Sequence, residues 1–175
     1  MTAWPSPLAS CAVTITLPRV PNRPVLDMVG ENKQLLISHI PHAQAIGLAV
    51  LDARPDEAWL KIPYGEHLVG NPENGIVHGG VITTLLDNAA GTAVIVALEA
   101  VRSIATLDLR IDYMKPATPG QDIIGYCHCY KVTRRIAFVR GMAYHDTPDD
   151  PIATMVAAFM VGANRSLPAV FMPES

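Results

Sequence analysis

The stretch NPENGIVHGGVITTLLDNAAGTAVIVALEA, residues 71–100, decides the fold prediction. It begins with the turn-forming pairs Asn-Pro and Asn-Gly, passes through His-Gly-Gly at 78–80, and continues as an apolar run that carries one carboxylate, Asp87. Apolar residues recur in this run at helical spacing over about 79–97. They would cover most of the circumference of such a helix, so the sequence predicts a long helix buried in the protein.

A narrow stripe of small and polar residues runs along the predicted helix. Gly80, Thr84, Asp87 and Gly91 are spaced by four, three and four residues, so they lie on one side at about 100° per residue. Such a stripe lets another backbone or a thin ligand approach closely. A plain packing contact, with Asp87 at a solvent edge, would explain the same spacing.

Two glycines, Gly79 and Gly80, open the helix. The N-terminus of a helix has amide donors without partners and a partial positive charge. Without side chains in the way, an oxygen that gains negative charge could reach those amides, as in an oxyanion hole. The alternative is that the glycines only permit a tight turn after His78.

The remaining segments predict an α+β architecture, in which an antiparallel sheet wraps around the long helix. A short amphipathic helix is expected within 25–40 and should end at Pro41. A hairpin over 47–66 should turn near 54–57. After the long helix, four extended runs are expected, at 103–117, 121–134, 136–146 and 151–164. The first run alternates well, and its apolar residues lie mostly on one parity and so on one face: Ile104, Leu107, Leu109, Ile111 and Tyr113.

Length and composition indicate one domain of 175 residues with a net charge of −3. We expect a proline-rich arm over 1–26, the folded domain over 27–165 and an irregular tail over 166–175. Without a basic stripe, nucleic acid is an unexpected partner. Asp87 and Glu99 interrupt the longest apolar run, so no membrane span is expected. Three cysteines and no clear signal peptide favour a cytoplasmic protein without a disulfide framework.

Residues 71–94, with a His-Gly-Gly helix start and an Asp at the ninth position after the His, resemble the motif of hotdog-fold acyl-CoA thioesterases, specifically the phenylacetate-pathway (PaaI-like) group. The segments at 106–117 and 136–161 resemble the strands that follow the helix in that group. The resemblance covers roughly 35–163. It implies a hotdog fold, hydrolysis of an acyl-CoA thioester, and a homodimer that pairs into a dimer of dimers.

The resemblance also implies roles for single residues. Gly79 matches the residue whose amide polarises the thioester carbonyl, and Asp87 matches the carboxylate that acts as general base or nucleophile. Thr106 stands where a Ser or Thr helps to hold the water. Asn71 matches a loop residue that assists the carbonyl, although the loop is one residue longer here, so Asn74 is the alternative. His78 belongs to the motif and is expected to brace the loop.

Further substrate contacts are expected from Gly80 and Thr84 of the small-residue stripe. Arg135, in a basic turn, is a candidate for the nucleotide end of CoA, although a solvated turn explains it equally well. No metal or other cofactor is expected, because the histidines lack zinc-type spacing and no dinucleotide motif occurs. Two other functions stay open: an acyl-CoA-binding protein without turnover, and a hotdog hydratase or dehydratase. The latter usually pairs a catalytic His with an acid in a motif that this sequence lacks.

Overall fold

A computed structural model describes residues 24–164. Most of the predicted arm (1–26) and the whole predicted tail (166–175) lie outside the described residues. The proposed domain boundaries therefore stay predictions.

The segment before the sheet differs from the single helix expected within 25–40. It consists of α1 (Pro24–Val29), a 3-10 turn (Lys33–Leu36) and α2 (Pro41–Ala45). Gly30 ends α1 because it adopts a left-handed φ of +48°, which glycine accepts without strain. Pro41 begins a helix instead of ending one. The first position of a helix needs no N–H, so proline fits there.

The predicted hairpin is confirmed as β1 (Ala49–Arg54) and β2 (Glu57–Ile62). Arg54 pairs with Glu57 across a turn in which Asp56 has a φ of +72°. The following loop contains a small two-stranded ladder that was not expected, formed by β3 (Val69–Asn71) and β4 (Ile76–Val77).

The long helix and the four later strands are confirmed. Helix α3 spans Gly79–Ala97, as predicted, and β5 (Arg102–Tyr113), β6 (Ile123–Val132), β7 (Ile136–Tyr144) and β8 (Ala153–Asn164) follow. The strands form one antiparallel sheet in the order β1-β2-β6-β7-β8-β5. Strand β5 is therefore an edge of the sheet, although it is one of the two longest strands.

Helix α3 packs against one face of this sheet, contacting β2, β5, β6 and β7. Gly125 of β6 permits the close approach, since a Cβ there would lie 2.7 Å from Cγ of Leu85. The helix residues that are buried form most of its circumference: Ile82, Leu85, Leu86, Ala89, Ala90, Gly91, Thr92, Ala93, Val94 and Val96.

By length and composition, α3 could cross a membrane, so the expectation that no apolar run is long enough is wrong. It is the one such helix within residues 24–164. Half of its most apolar window is buried inside the fold, which is also what the core helix of a globular protein shows.

The parity expected for β5 is also wrong at one position. A β-bulge between Thr106 and Asp108 shifts the pairing with β8, so the residues facing the helix change from even to odd numbers. Ile104 before the bulge, and Leu109 and Ile111 after it, pack against the core. Leu107 is the extra residue at the bulge and is 57% exposed.

Candidate active site

Asp87 and Thr106 are in direct contact. The Thr106 hydroxyl donates a hydrogen bond to Asp87 Oδ1 at 2.9 Å. Thr106 has the same parity as Ile104 and faces the helix. The bulge follows it directly, and bulges often occur beside functional sites. The half-buried carboxylate of Asp87 thus has one oxygen held in place, in the middle of α3.

A cavity of about 210 Å³ opens beside Asp87. Apart from Asp87 and Thr106, its polar lining comes from Asn88, Thr92 and His39. The apolar lining comes from three parts of the fold, namely the segment before β1, the middle of α3 and the facing strands: Leu36, Ile37, Ile40, Gly91, Ile95, Ile104, Ala105 and Phe159. A carboxylate in the lining of a largely apolar cavity suits chemistry on an apolar substrate.

Behind Asp87, the Cys127 thiol of β6 is fully buried and donates to the Leu86 carbonyl at 3.7 Å. Burial raises the pKa of this thiol well above its usual range, and the nearby Asp87 carboxylate raises it further. The thiol is therefore neutral at physiological pH and is no candidate nucleophile, because the thiolate is the reactive form.

His78 caps the N-terminus of α3. Its ring Nδ1 accepts a hydrogen bond from the Gly80 backbone N–H at 2.9 Å, and the backbone N–H of His78 donates to the Leu68 carbonyl at 2.9 Å. Both glycine amides were expected to be free to bind a substrate oxygen. This expectation is wrong for Gly80, because its N–H already donates to His78. Within residues 24–164, the Gly79 N–H has no acceptor, so it is the amide that can bind an oxygen.

Gly79 lies in a second cavity of about 390 Å³. Tyr113, at the end of β5, lines this cavity and donates a hydrogen bond to the Gly79 carbonyl at 2.8 Å. Its hydroxyl also lies 2.9 Å from Thr83 Oγ1. Sequence reasoning gave Tyr113 only a place in the β5 pattern. The structure shows that it fixes the first turn of α3.

Gly79 and Asp87 do not share a cavity within one chain. They are eight residues apart on one helix, which corresponds to about 12 Å. The Gly79 cavity and the Asp87 cavity have no lining residue in common. One chain therefore does not bring the two expected catalytic groups together.

The other expected residues lie around the Gly79 end. Asn71 Oδ1 accepts from the Glu73 N–H and Asn74 Oδ1 from the Ile76 N–H, both at 3.1 Å. Both side-chain oxygens thus shape the loop, and the geometry does not choose between the two residues. Thr84 donates back to the Gly80 carbonyl at 3.0 Å, one turn earlier in the helix.

Arg135 is not in contact with either cavity. It lines a third one, of about 490 Å³, together with Arg102 and Arg134. Arg102 donates to the Gly162 carbonyl at 2.8 Å and to the Arg134 carbonyl at 3.2 Å. Within residues 24–164, no carboxylate forms an ion pair with Arg134 or Arg135, so this cavity has a net positive wall.

Comparison with known proteins decides the family. Residues 74–152 match the model of the thioesterase superfamily. A crystal structure of a Pseudomonas aeruginosa protein is 44% identical, has a TM-score of 0.68, and matches over 78% of this chain and 98% of that one. The chain belongs to the thioesterase superfamily. Its sheet around a central helix is the hotdog fold, so both expectations are confirmed.

The names of similar proteins agree with membership of this family. The medium/long-chain acyl-CoA thioesterase YigI of Escherichia coli is 28% identical over 78% of this chain and 94% of its own length. The Halobacterium salinarum protein VNG_1336C, whose name assigns it provisionally as an esterase, is 44% identical over 75 residues. That match covers 41% of this chain and half the length of the relative. A structure of the phenylacetic acid degradation protein PaaI of Thermus thermophilus is 25% identical, with a TM-score of 0.59 over 69% of this chain and 97% of that one. The expectation of a thioester-hydrolysing enzyme is thus confirmed at the level of the family.

Sequence reasoning missed the wall that residues 36–40 add to the Asp87 cavity. No sequence feature singled out His39 as a site residue. It nevertheless lines the cavity, as do Leu36, Ile37 and Ile40. The apolar spacing within 25–40 indicated a buried face, but the pattern did not show which element this face covers. Among residues 24–164, no cluster of His, Cys, Asp and Glu could hold a metal ion.

Proposed function

We propose that this protein hydrolyses an acyl-CoA thioester to a free acid and CoA, with Asp87 as the chemical group. One observation carries the proposal: a half-buried carboxylate, oriented by the Thr106 hydroxyl at 2.9 Å, lines a largely apolar cavity. General base catalysis by a positioned carboxylate typically contributes about 10²–10⁴-fold to a rate. An acyl-CoA-binding protein has no need of a carboxylate at this place.

In the proposed reaction, Asp87 takes a proton from a water molecule as the water oxygen adds to the thioester carbonyl carbon. The carbonyl oxygen gains negative charge and is stabilised by the Gly79 N–H at the helix N-terminus. Collapse of this intermediate breaks the carbon–sulfur bond, and the CoA thiolate takes the proton from Asp87. Direct attack by Asp87, with hydrolysis of the resulting anhydride, is the alternative. A single turnover in ¹⁸O-water identifies the anhydride path if ¹⁸O appears in the Asp87 carboxylate, which happens when water opens the anhydride at the Asp87 carbon.

We further propose that each active site is shared by two chains of a homodimer. A carbonyl group needs its amide donor and the attacking water within about 3 Å, whereas one helix separates Gly79 from Asp87 by about 12 Å. Two antiparallel copies related by a two-fold axis can supply Gly79 from one chain and Asp87 from the other, and this symmetry produces two such sites. The exposed edge strand β5 offers a surface for pairing, because Leu107, Tyr113 and Met114 are between 51% and 63% exposed.

We also propose that two such dimers pair to form a dimer of dimers. Large apolar side chains are also exposed on β6 and on β8, the strand that pairs with β5: Tyr130, Val132, Val156 and Met160. Contiguous exposed apolar surface is typical of protein interfaces. Light scattering of the purified protein at several concentrations tests both steps of the assembly.

The nucleotide end of CoA is proposed to bind at the cavity lined by Arg134 and Arg135. Two guanidinium groups without a described carboxylate partner suit phosphate groups, which arginine binds through bidentate hydrogen bonds. We place the reaction in the cytoplasm, where Cys127 and Cys129 would stay reduced thiols. Fractionation of cells that express the full chain tests this location.

A thiol-release assay against a panel of acyl-CoAs tests the proposed activity. Release of CoA that depends on the wild-type protein and is lost on replacement of Asp87 supports hydrolysis. Saturable binding of acyl-CoA without release would instead support the binding protein. Hydration of an enoyl-CoA, measured as loss of its ultraviolet absorbance without thiol release, would support the hydratase.

A further inference from the structure

The first turn of α3 has little stiffness of its own, because it begins with two glycines. Glycine has more backbone freedom than any other residue, so Gly79 and Gly80 leave helical geometry more readily than other residues would. An oxyanion donor contributes most when it is already aimed at the oxygen before the reaction. The Gly79 N–H can act in this way only if other groups hold the peptide units around it.

The peptide unit between Gly79 and Gly80 is held at both ends. Its N–H donates to His78 Nδ1 at 2.9 Å, and its carbonyl oxygen accepts from the Tyr113 hydroxyl at 2.8 Å. The preceding unit carries the Gly79 N–H, and the carbonyl of that unit accepts from the Val81 N–H at 2.9 Å. These contacts fix the turn around the Gly79 N–H, which itself has no acceptor among residues 24–164.

The contact from Tyr113 comes from outside the helix. Strand β5 thus contacts α3 at both proposed catalytic groups, because Thr106, earlier on the same strand, binds Asp87. The Thr83 hydroxyl oxygen lies 2.9 Å from the Tyr113 hydroxyl oxygen and 3.3 Å from the Gly79 carbonyl oxygen. Since Tyr113 uses its one proton on Gly79, Thr83 is the donor to Tyr113. Hydrogen bonds that follow one another in this way strengthen each other.

We infer that Tyr113 is a positioning residue for hydrolysis: its hydroxyl holds the Gly79 carbonyl so that the Gly79 N–H is aimed at the thioester oxygen. The inference rests on the proposed function and adds a residue on the oxyanion side of the site, where Thr106 acts on the carboxylate side. In the proposed dimer, Tyr113 of one chain therefore acts in the site that receives Gly79 from that same chain. Thr106 of that chain acts in the other site.

Single substitutions test the role by separating kcat from KM. Tyr113→Phe keeps the ring and removes the hydroxyl, so kcat should fall about three- to tenfold, as expected for the loss of one hydrogen bond. KM and the thermal midpoint should stay close to the wild-type values, because the contact lies within the enzyme and matters only in the transition state. Tyr130→Phe removes the hydroxyl of a tyrosine on β6 with the same exposure, 51%, and is the matched control.

Mixed dimers show on which catalytic group Tyr113 acts. When Gly79→Pro and Asp87→Asn chains are re-associated, the working site combines Gly79 of the Asp87→Asn chain with Asp87 of the other chain. Tyr113→Phe should lower the recovered rate about three- to tenfold when it is placed on the Asp87→Asn chain. On the Gly79→Pro chain it should leave the recovered rate unchanged, which a general loss of packing around β5 would not do.

The inference is overturned if Tyr113→Phe leaves kcat at the wild-type value. It is also overturned if KM rises as much as kcat falls, since Tyr113 would then bind the substrate itself, or if the losses on the two chains of the mixed dimer are equal. Should Tyr113→Phe fail to fold, Thr83→Val, which removes the donor to Tyr113, takes its place and must lower kcat. If the mixed dimers recover no activity, the shared site fails and the single variants decide.

Hydrogen exchange separates this inference from the proposed function. If the wild-type protein releases no CoA from any acyl-CoA, the proposed function fails, and the exchange rate of the Gly80 N–H then tests the contact by itself. Faster exchange in Tyr113→Phe than in the wild type and in Tyr130→Phe supports the hold on the first turn. An unchanged exchange rate contradicts it.

Discussion

The Thr106 hydroxyl donates to Asp87 Oδ1 at 2.9 Å and so connects the edge strand β5 to the middle of α3. Within residues 24–164, no other hydrogen bond reaches this carboxylate. One oxygen is therefore held by the protein, and Oδ2 stays available to a water molecule. This is the arrangement that a general base needs, because its reactive oxygen must be oriented without being occupied.

Replacement of Asp87 by Asn should lower kcat by about 10²–10⁴-fold and leave the thermal midpoint close to that of the wild type. The amide keeps the shape of the side chain and can still accept from Thr106, but it cannot take a proton from water. Rates of CoA release and a thermal melt provide the two measurements. Asp146→Asn, at an exposed position away from the cavity, is the control. Near-normal turnover by the Asp87 variant would remove this residue from the mechanism.

Thr106 should assist the reaction without being essential. Thr106→Val removes the hydroxyl at nearly constant shape and should lower kcat several-fold to tenfold, since one hydrogen bond contributes about 0.5–1.5 kcal/mol. Thr106→Ser keeps the donor and should behave like the wild type. Steady-state rates of the two variants, measured side by side, check the role. A valine variant as inactive as Asp87→Asn would show that Thr106 takes part in the chemistry itself.

Joint replacement of Arg134 and Arg135 by Gln should raise KM for an acyl-CoA about tenfold, which is 1.4 kcal/mol, with little change in kcat. The loss should not occur with the corresponding acyl-pantetheine, which lacks the nucleotide phosphates. Lys131→Gln removes one exposed charge from the same strand turn and serves as the control. An equal rise in KM for both substrates would place the two arginines away from the nucleotide.

The lowered pKa of Asp52 predicts that part of the free energy of unfolding depends on pH. Burial raises the pKa of Asp52, but hydrogen bonds from Lys33 and Arg54 outweigh burial and hold the pKa below the usual 3.8. Since the folded state has the lower pKa, the stabilisation is fully present above 3.8 and is lost as the pH falls through the folded-state value.

Asp52→Asn should therefore lower the free energy of unfolding by about 0.2–1 kcal/mol at neutral pH. The difference from the wild type should shrink once the pH drops below 3.8. Urea titrations between neutral pH and the acid limit of folding measure it. Asp149→Asn, whose carboxylate has no ion pair among residues 24–164, should show no such dependence. A constant difference at every pH would mean that Asp52 acts through packing alone.

Helix α3 was predictable to the residue because its signals are local. The turn pairs before Gly79, the glycine pair and the apolar pattern all act within a few residues along the chain. The set of β5 residues that face α3 was not predictable in the same way. A bulge depends on pairing with β8, and its single extra residue at Leu107 reverses the parity of every later position.

In the candidate site, too, some features were predictable from the sequence and others were not. The motif indicated Asp87, and the resemblance indicated that Thr106 helps to hold the water. The structure adds the hydrogen bond of 2.9 Å between the two side chains. The use of the Gly80 amide by His78 could not be read from the sequence, because it depends on the rotamer of the cap. The wall formed by residues 36–40 is a contact between segments about fifty residues apart, and no periodicity encodes such a contact.

The Gly79 N–H can be removed almost without disturbing the helix. Proline is favoured at the first helical position, and His78 already has the extended ψ of 133° that a residue before proline prefers. Gly79→Pro should thus keep the fold but lower kcat by about 10²–10³-fold, as the loss of one oxyanion donor does. Gly79→Ala retains the N–H, and its Cβ would lie 3.5 Å from the Tyr113 hydroxyl oxygen, so it should stay active.

The shared site is tested most directly by mixing the Gly79→Pro and Asp87→Asn proteins. Each alone should be nearly inactive. After dissociation and re-association, half of the dimers should contain one chain of each kind, and in these one of the two sites combines an intact Gly79 with an intact Asp87. We expect recovery of about a quarter of the wild-type kcat per total sites, because half of the dimers each have one of two sites intact. Heterodimers confirmed by differential tags but with no activity above that of the parents would contradict it.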